Sequence, residues 1–263
     1  MKFSIVMATM NAEKYLDRAL RSICEQSYDN YEVIIQDGGS TDTSAAIAAR
    51  FGDKVLWRSE RDSGIYDAWN KALERLGGDW ILFLGADDML WEKTTLERAA
   101  ALLQDSANAV SFAYGDLFIG TNGQPELLIK RSLRAVYTLM LNTMGLPFPA
   151  TFVRASIFEK TNFNTDFRIA GDYDFAARQI TADNVLRLPL TVAYMEDGGI
   201  SHAPAFEKHL RVERERVLRS CVLPRAAVFV EGCIKYMDEG ACCGSKKRIK
   251  SSFFKTVKKR LGL

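Results

Sequence analysis

Two kinds of apolar pattern alternate through the first hundred residues, and that alternation limits the fold more than any other feature. Phe3 to Ala8, Tyr31 to Gln36 and Trp80 to Leu84 are short, largely apolar runs of strand length, and Lys54 to Ser59 is a further strand between them. Such runs mark strands buried on both faces. Between them, Tyr15, Leu16, Ala19, Leu20 and Ile23 recur at helical spacing, with Asn11 placed to cap the helix they predict. An alanine-rich helix is predicted over Thr43 to Phe51, and Leu96, Ala99, Ala100 and Leu103 predict another. Strands alternating with helices at this spacing require an α/β fold, a mostly parallel central sheet flanked by helices. Ligands of such sheets sit beyond the carboxyl ends of the strands.

Polar residues gather at those ends. Thr9 and Asn11 follow the first strand, Asp37 the second, Arg61 the third and Asp87-Asp88 the fourth, so four loops converge on one crevice. In Asp37-Gly38-Gly39-Ser40-Thr41-Asp42 a glycine pair permits unusual backbone angles. Asp37 could accept hydrogen bonds from a base or ribose, or the segment could be an ordinary strand-to-helix turn. The loop and helix from Glu60 to Ala72 contain Gly64, where backbone could approach a ligand, with Arg61 and Lys71 placed to meet phosphate. Read as packing, Asp67 and Lys71 are a helix pair worth about 0.3–0.5 kcal/mol. For Asp87-Asp88, a helix cap needs one Asp. Two adjacent carboxylates on a strand as apolar as Ile81-Leu82-Phe83-Leu84 are costly to bury without a cation. A hard divalent metal sharing a diphosphate fits them. A GxGxxG dinucleotide fingerprint is absent.

The second half reads differently. Val110 to Leu117 and Leu127 to Arg131 predict strands around a turn at Thr121 to Gln124, with mixed or antiparallel pairing. Ala170 to Phe175 opens a helix reaching about Thr181, Val185 to Tyr194 predicts a strand with Pro189 at an edge or bulge, and Glu207 to Val222 a charged helix. Asp172 at its helix start is either a cap favoured by the dipole or a carboxylate that takes a proton from an acceptor hydroxyl. Neither His202 nor His209 has a partner that marks it as ligand or base. A net charge of +2 argues against nucleic-acid binding. Five cysteines, an odd number without zinc spacing, suggest reduced thiols in a cytoplasmic setting. No signal peptide is expected, and no apolar stretch reaches the roughly 18 residues of a membrane span.

Taken in order, these motifs resemble the family 2 glycosyltransferases, inverting enzymes with the nucleotide-sugar-binding GT-A fold. The likeness runs from Phe3 to about Ser201. It rests on Thr9 and Asn11, Asp37 to Asp42, Ser63 to Lys71, Asp87-Asp88, Gly171-Asp172-Tyr173-Asp174 and Gly198-Gly199-Ile200-Ser201. The subgroup it resembles builds bacterial cell-surface polysaccharide. The resemblance implies a GT-A domain over residues 1–205, with a nucleotide-binding half (1–105) and an acceptor-binding half (106–205), then a helical C-terminal extension over 206–263. It implies a hexosyltransferase-type enzyme moving sugar from a nucleotide-diphosphate sugar, UDP-linked in the family's commonest case, to a hydroxyl of a glycan or lipid-linked acceptor. It assigns Asp37 to the nucleoside, and Thr9, Asn11, Arg61, Gly64, Asp67, Asn70 and Asp87 to the nucleotide-sugar. Asp88, with Asp87 second, would hold Mn²⁺ or Mg²⁺, and Asp172 would be the general base. Three positions depart from the family pattern. Gly85 stands for the first Asp of the Asp-x-Asp element, Gly171 for the Glu of a Glu-Asp pair, and Phe148 near a common His.

Residues 241–263 hold eight Lys or Arg and no Asp or Glu, leaving about −6 on the rest of the chain. Ile249, Phe253, Val257 and Leu261 fall four apart, so 246–261 reads either as a basic amphipathic helix for an anionic membrane surface or as a solubilising tail. The first reading puts the protein on the inner face of the membrane as a peripheral enzyme. Two rivals stand beside the transferase. A nucleotidyltransferase would carry a glycine- and Arg/Lys-rich loop where Thr9-Met10-Asn11-Ala12-Glu13 stands. A non-catalytic sugar-nucleotide-binding module would not need Asp172.

Overall fold

A computed structural model describes residues 1–106, 108–199 and 204–236. The basic segment 246–261, His202, and Ile200 and Ser201 of the last motif lie outside the described residues. Strands β1 (Phe3–Thr9), β2 (Tyr31–Asp37), β3 (Val55–Ser59) and β4 (Trp80–Phe83) are parallel, in the spatial order β3-β2-β1-β4. Helices α1 (Leu16–Cys24), α2 (Ser44–Ala49) and α3 (Ile65–Leu73) connect them. Alternate residues of the same strands feed two cores, as burial on both faces demands. Ile5, Met7, Val33 and Ile35 pack with Leu16, Leu20 and Ile23 of α1. Val6 and Ile34 pack on the other face with Tyr66 and Trp69 of α3.

The sheet continues without a break into the second half. After β5 (Met89–Leu90) and α4 (Thr95–Gln104) come β6 (Phe112–Thr121), β7 (Gln124–Ile129), α5 (Leu133–Met140), β8 (Thr151–Arg154), α6 (Gly171–Gln179) and β9 (Val185–Glu196). β8 lies antiparallel between β4 and β6, β9 runs parallel to β6, and β5 adds antiparallel to β9. The β6–β7 hairpin turns on Asn122 (φ 53°) and Gly123 (φ 79°), the left-handed pair that a two-residue hairpin requires. Pro189 falls where the β6–β9 register slips between Tyr114–Arg187 and Asp116–Thr191, so it sits in a bulge. Helices α7 (Glu207–Val217) and α8 (Ala226–Lys235) follow. Leu210 and Val217 of α7 and Phe229 and Cys233 of α8 join the core that contains α3, α5 and α6. No helix among the described residues is long and apolar enough to cross a membrane.

One local expectation fails. Asn11 does not cap α1, which begins five residues later with no side-chain cap. Asn11 is left-handed (φ 51°), and its Oδ1 accepts from the Thr41 N–H at 2.9 Å. It ties the β1 loop to the β2 loop instead.

Candidate active site

The loops after β1 and β2 are knitted together by Asp37. It is buried at the end of β2, and its carboxylate accepts from the Gly39 and Ser40 N–H groups and the hydroxyls of Ser40, Ser59 and Thr9. Burial alone would raise its pKa, but these donors outweigh it and hold the carboxyl below its ordinary value. Asp37 and Thr9 are thus engaged in building the turn, which limits what either offers a base or ribose. Asn11 is likewise tied to the turn, its N–H donating to Ser40 Oγ at 2.7 Å.

The loop before α3 divides into open and committed residues. Arg61 is exposed and its Cγ passes 3.9 Å from where a Cβ on Gly39 would lie. Gly64 (φ 138°) has open space on its Cβ side. Both can meet a ligand. Asp62, which the sequence did not single out, lies against Gly38, where a Cβ would come within 2.6 Å of its Oδ2. Asp67 accepts from the Ser63 N–H at 2.9 Å and so closes the first turn of α3. Lys71 donates to the Arg61 carbonyl at 2.6 Å and pairs with Glu60 and Asp67. Asn70 spends both ends of its amide on Phe163, donating to the carbonyl at 2.9 Å and accepting from the N–H at 3.0 Å. Asn70 is a brace between α3 and the 163 segment.

Beyond β4 the two adjacent carboxylates differ. Asp88 is buried, and accepts from the Gly85 N–H at 3.0 Å and the Glu196 N–H at 3.1 Å. Asp87 is half-buried, and its carboxylate takes a hydrogen bond from its own backbone N–H. Burial, then the Asp87 charge, pushes Asp88 up to about 7, and burial with the nearby Glu196 charge raises Asp87. Two carboxylates that resist ionising side by side are a fitting cradle for a cation. A Cβ on Gly85 would lie 2.7 Å from an oxygen of each, so the missing side chain at 85 is what lets both fold over it. No group of three or more Asp, Glu, His or Cys suited to a metal occurs among the described residues. A hard cation here would need phosphate or water oxygens to complete its shell. Arg18 of α1 borders the cradle, donating to the Asp87 carbonyl at 2.9 Å and to Glu196 at 2.7 Å.

Asp172 opens α6, half-buried, with Oδ1 accepting from the Tyr173 N–H at 2.7 Å. Burial pushes its pKa up to about 6, against the pull of that N–H and of the Tyr66 hydroxyl. The hydroxyl donates to the Ile169 carbonyl at 2.5 Å and lies 3.4 Å from Asp172 Oδ1. The loop that opens α3 and the start of α6 therefore meet. Gly171 is required for this: a Cβ there would come within 2.6–2.8 Å of the Tyr66 ring. Phe148 is buried and stacked on Trp69 and Phe83, a purely apolar neighbourhood. Sequence reasoning missed Tyr66, Glu213, Arg18 and Glu196. Glu213 was hidden in a helix whose charges look solvated, and Tyr66 in a helical stripe that looks like core.

Residues 4–161 match the model of Glycosyl transferase family 2, a segment ending before Asp172. A PGL/p-HBAD biosynthesis glycosyltransferase of Mycobacterium bovis is 30% identical over 225 residues, covering 80% of this chain and 82% of the relative. The putative teichuronic acid biosynthesis glycosyltransferase TuaG of Bacillus subtilis is 33% identical over 127 residues, 46% of this chain and 49% of the relative. Among solved structures, S. aureus TarS 1-349 in complex with UDP-GlcNAc superposes with a TM-score of 0.69 at 20% identity, covering 95% of this chain and 75% of that one. The mannosyltransferase PcManGT from Pyrobaculum calidifontis, in complex with GDP-Man and Mn²⁺, gives 0.59 at 15% identity, with coverage of 99% and 84%. Both likenesses identify the fold as GT-A.

Proposed function

The chain belongs to glycosyl transferase family 2, and from that premise we propose an inverting transfer of sugar from a nucleotide-diphosphate sugar, UDP-linked, to a hydroxyl of a glycan or lipid-linked acceptor. Relatives named for PGL/p-HBAD and teichuronic acid biosynthesis favour an acceptor of the bacterial cell surface. The observation that carries the reading is Asp172. A carboxylate raised to about 6 at a helix start, in contact with the loop that opens α3, suits a general base near neutral pH. The nucleotidyltransferase alternative does not call for such a base, and neither does a module that only binds.

In this reading the donor lies over the ends of β1, β2 and β4. Arg61 meets phosphate, and the open backbone at Gly64 lets the diphosphate approach. Thr9, Asn11 and Asp37 shape the nucleoside end through the turn they build. Asp87 leads and Asp88 supports in holding Mn²⁺ or Mg²⁺, because Asp88 already serves two backbone N–H groups. Bound there, the cation would stabilise negative charge on the leaving diphosphate as a Lewis acid. Asp172 accepts the proton of the attacking hydroxyl as its oxygen bonds to the anomeric carbon, the bond from that carbon to the diphosphate breaks with inversion, and the nucleoside diphosphate leaves. Residues 1–105 then serve the donor and 106–205 the acceptor, with 206–263 as an extension. A cytoplasmic site of action, peripheral to the membrane through 246–261, belongs to the same proposal.

A thermal-shift titration with UDP, GDP and dTDP, each with Mn²⁺ and with chelator, tests the donor side. A ligand of the folded state raises the melting temperature by mass action. A metal-dependent rise with UDP is expected. A rise with GDP or dTDP alone would reassign the nucleotide, and no rise with any of the three would overturn the donor site.

A further inference from the structure

We propose that Tyr66 and Glu213 are positioning residues for Asp172, gripping from opposite sides the 168–170 segment that leads into α6. This rests on the reading of Asp172 as the base. Glu213 is a buried carboxylate of α7, in the C-terminal extension. One oxygen accepts from the Arg168 N–H at 2.7 Å. The other accepts from the Ile169 and Ala170 N–H groups at 2.9 and 2.8 Å. Three consecutive backbone donors on one carboxylate fix a loop far more tightly than apolar contact could, because charge-assisted hydrogen bonds are strong and directional. His209, one turn earlier on α7, pairs with Glu213 at 2.9 Å.

Tyr66 grips the same peptide chain from α3. Its hydroxyl donates to the carbonyl of Ile169, whose N–H is held by Glu213, and reaches Asp172 itself. Its ring fills the space a side chain at 171 would need, and stacks on Phe163. Burial keeps the phenol protonated, its pKa raised well above the ordinary value, so it remains a donor. The carboxylate of Asp172 is thus set by one residue 106 positions before it and another 41 after it, and only the folded chain joins the three. The positive charge of Arg214, also on α7, favours the ionised form of Asp172. Neither Tyr66 nor Glu213 handles a proton of the substrate. Each decides where the carboxylate stands and how readily it ionises.

The test is the titration of the Asp172 carboxyl, followed by carbon-detected NMR and assigned by its loss in Asp172→Asn. Tyr66→Phe keeps the ring and removes only the hydroxyl. It is expected to move the Asp172 midpoint from its wild-type value, since the hydroxyl that holds the Ile169 carbonyl and lies 3.4 Å from the carboxylate is lost. Glu213→Gln is expected to move it as well, and to lower protection of the 168–170 amides from hydrogen exchange. In parallel, release of UDP from UDP-GlcNAc with Mn²⁺ should fall about ten- to a hundredfold in kcat for Tyr66→Phe, with KM little changed. If Glu213→Gln does not fold, Tyr66→Phe decides alone. An unmoved midpoint in Tyr66→Phe overturns the proposal, as does a variant whose only change is a lower melting temperature. If Asp172→Asn releases UDP at the wild-type rate, the base reading falls and this proposal with it. If Asp172→Asn is inactive while Tyr66→Phe is unchanged in both titration and rate, only the positioning role falls.

Discussion

The two sides of the crevice are held together in different ways. On the donor side, each of three carboxylates takes at least one backbone N–H from within four residues. Asp37 takes the N–H groups of Gly39 and Ser40, Asp67 that of Ser63, and Asp88 that of Gly85. On the side proposed for the acceptor, Asp172 and the segment leading into it are contacted from α3 and α7, which precede and follow them in the chain. Electrostatics divide differently. Asp37 and Asp67 are held below their ordinary pKa by the donors around them. Asp172 and the Asp87–Asp88 pair are raised, burial being the first cause in each. Depressed carboxylates stabilise the loops they organise. In the proposed function the raised ones receive a proton in one case and a cation in the other.

The contrast can be broken by substitution. The largest effect is expected at Asp172→Asn, with kcat down by about 10²–10⁴ and the UDP-induced thermal shift retained. Loss of both together would mean that the two sides are not separable. Next in size is the difference between the adjacent carboxylates. Asp88→Ala strands the Gly85 and Glu196 N–H groups, and each unpaired buried donor costs about 1–3 kcal/mol, readable as a lower melting temperature without ligand. Asp87→Ala should leave that temperature near wild type and abolish the Mn²⁺ dependence of UDP binding. The opposite pattern would make Asp88 the ligand and Asp87 the cap.

The smallest effect is on stability against pH. Asp172 at about 6 and Asp88 at about 7 hold protons in the folded state that an unfolded Asp, near 3.9, has already lost. Between about pH 4 and 7 the folded chain binds more protons through these groups, so their contribution to stability falls as pH rises through that window. The depressed groups, Asp37 and Glu213 among them, act in the other sense and lose their contribution only as pH falls through their lowered values. Melting temperatures in chelator should therefore decline from pH 5 to pH 8, and Mn²⁺ should restore more at pH 8 than at pH 5. A flat curve in chelator would remove the cradle of raised carboxylates from the account.

Much of the molecule was legible in one dimension. The alternation of apolar runs determines the parallel strands β1 to β4 and their helices, because period and burial are local properties of the sequence. Clustering of Asn11, Asp37, Arg61 and Asp87-Asp88 after those strands determines where the crevice is. Asp172 and its place at a helix start were legible for the same reason. What each polar residue does there was not. Asn70 and Asp88 look like ligands in the sequence, and each also bonds backbone that only folding brings near, Phe163 and Glu196. Glu213 looks like one more charge on a solvated helix, yet it holds the segment that leads into Asp172. A hydrogen bond between residues 93 or 108 positions apart leaves no periodicity behind. The chain's pattern decided the fold and the location of the chemistry, while the tertiary structure alone decided which carboxylates are spent on backbone and which remain open to a substrate.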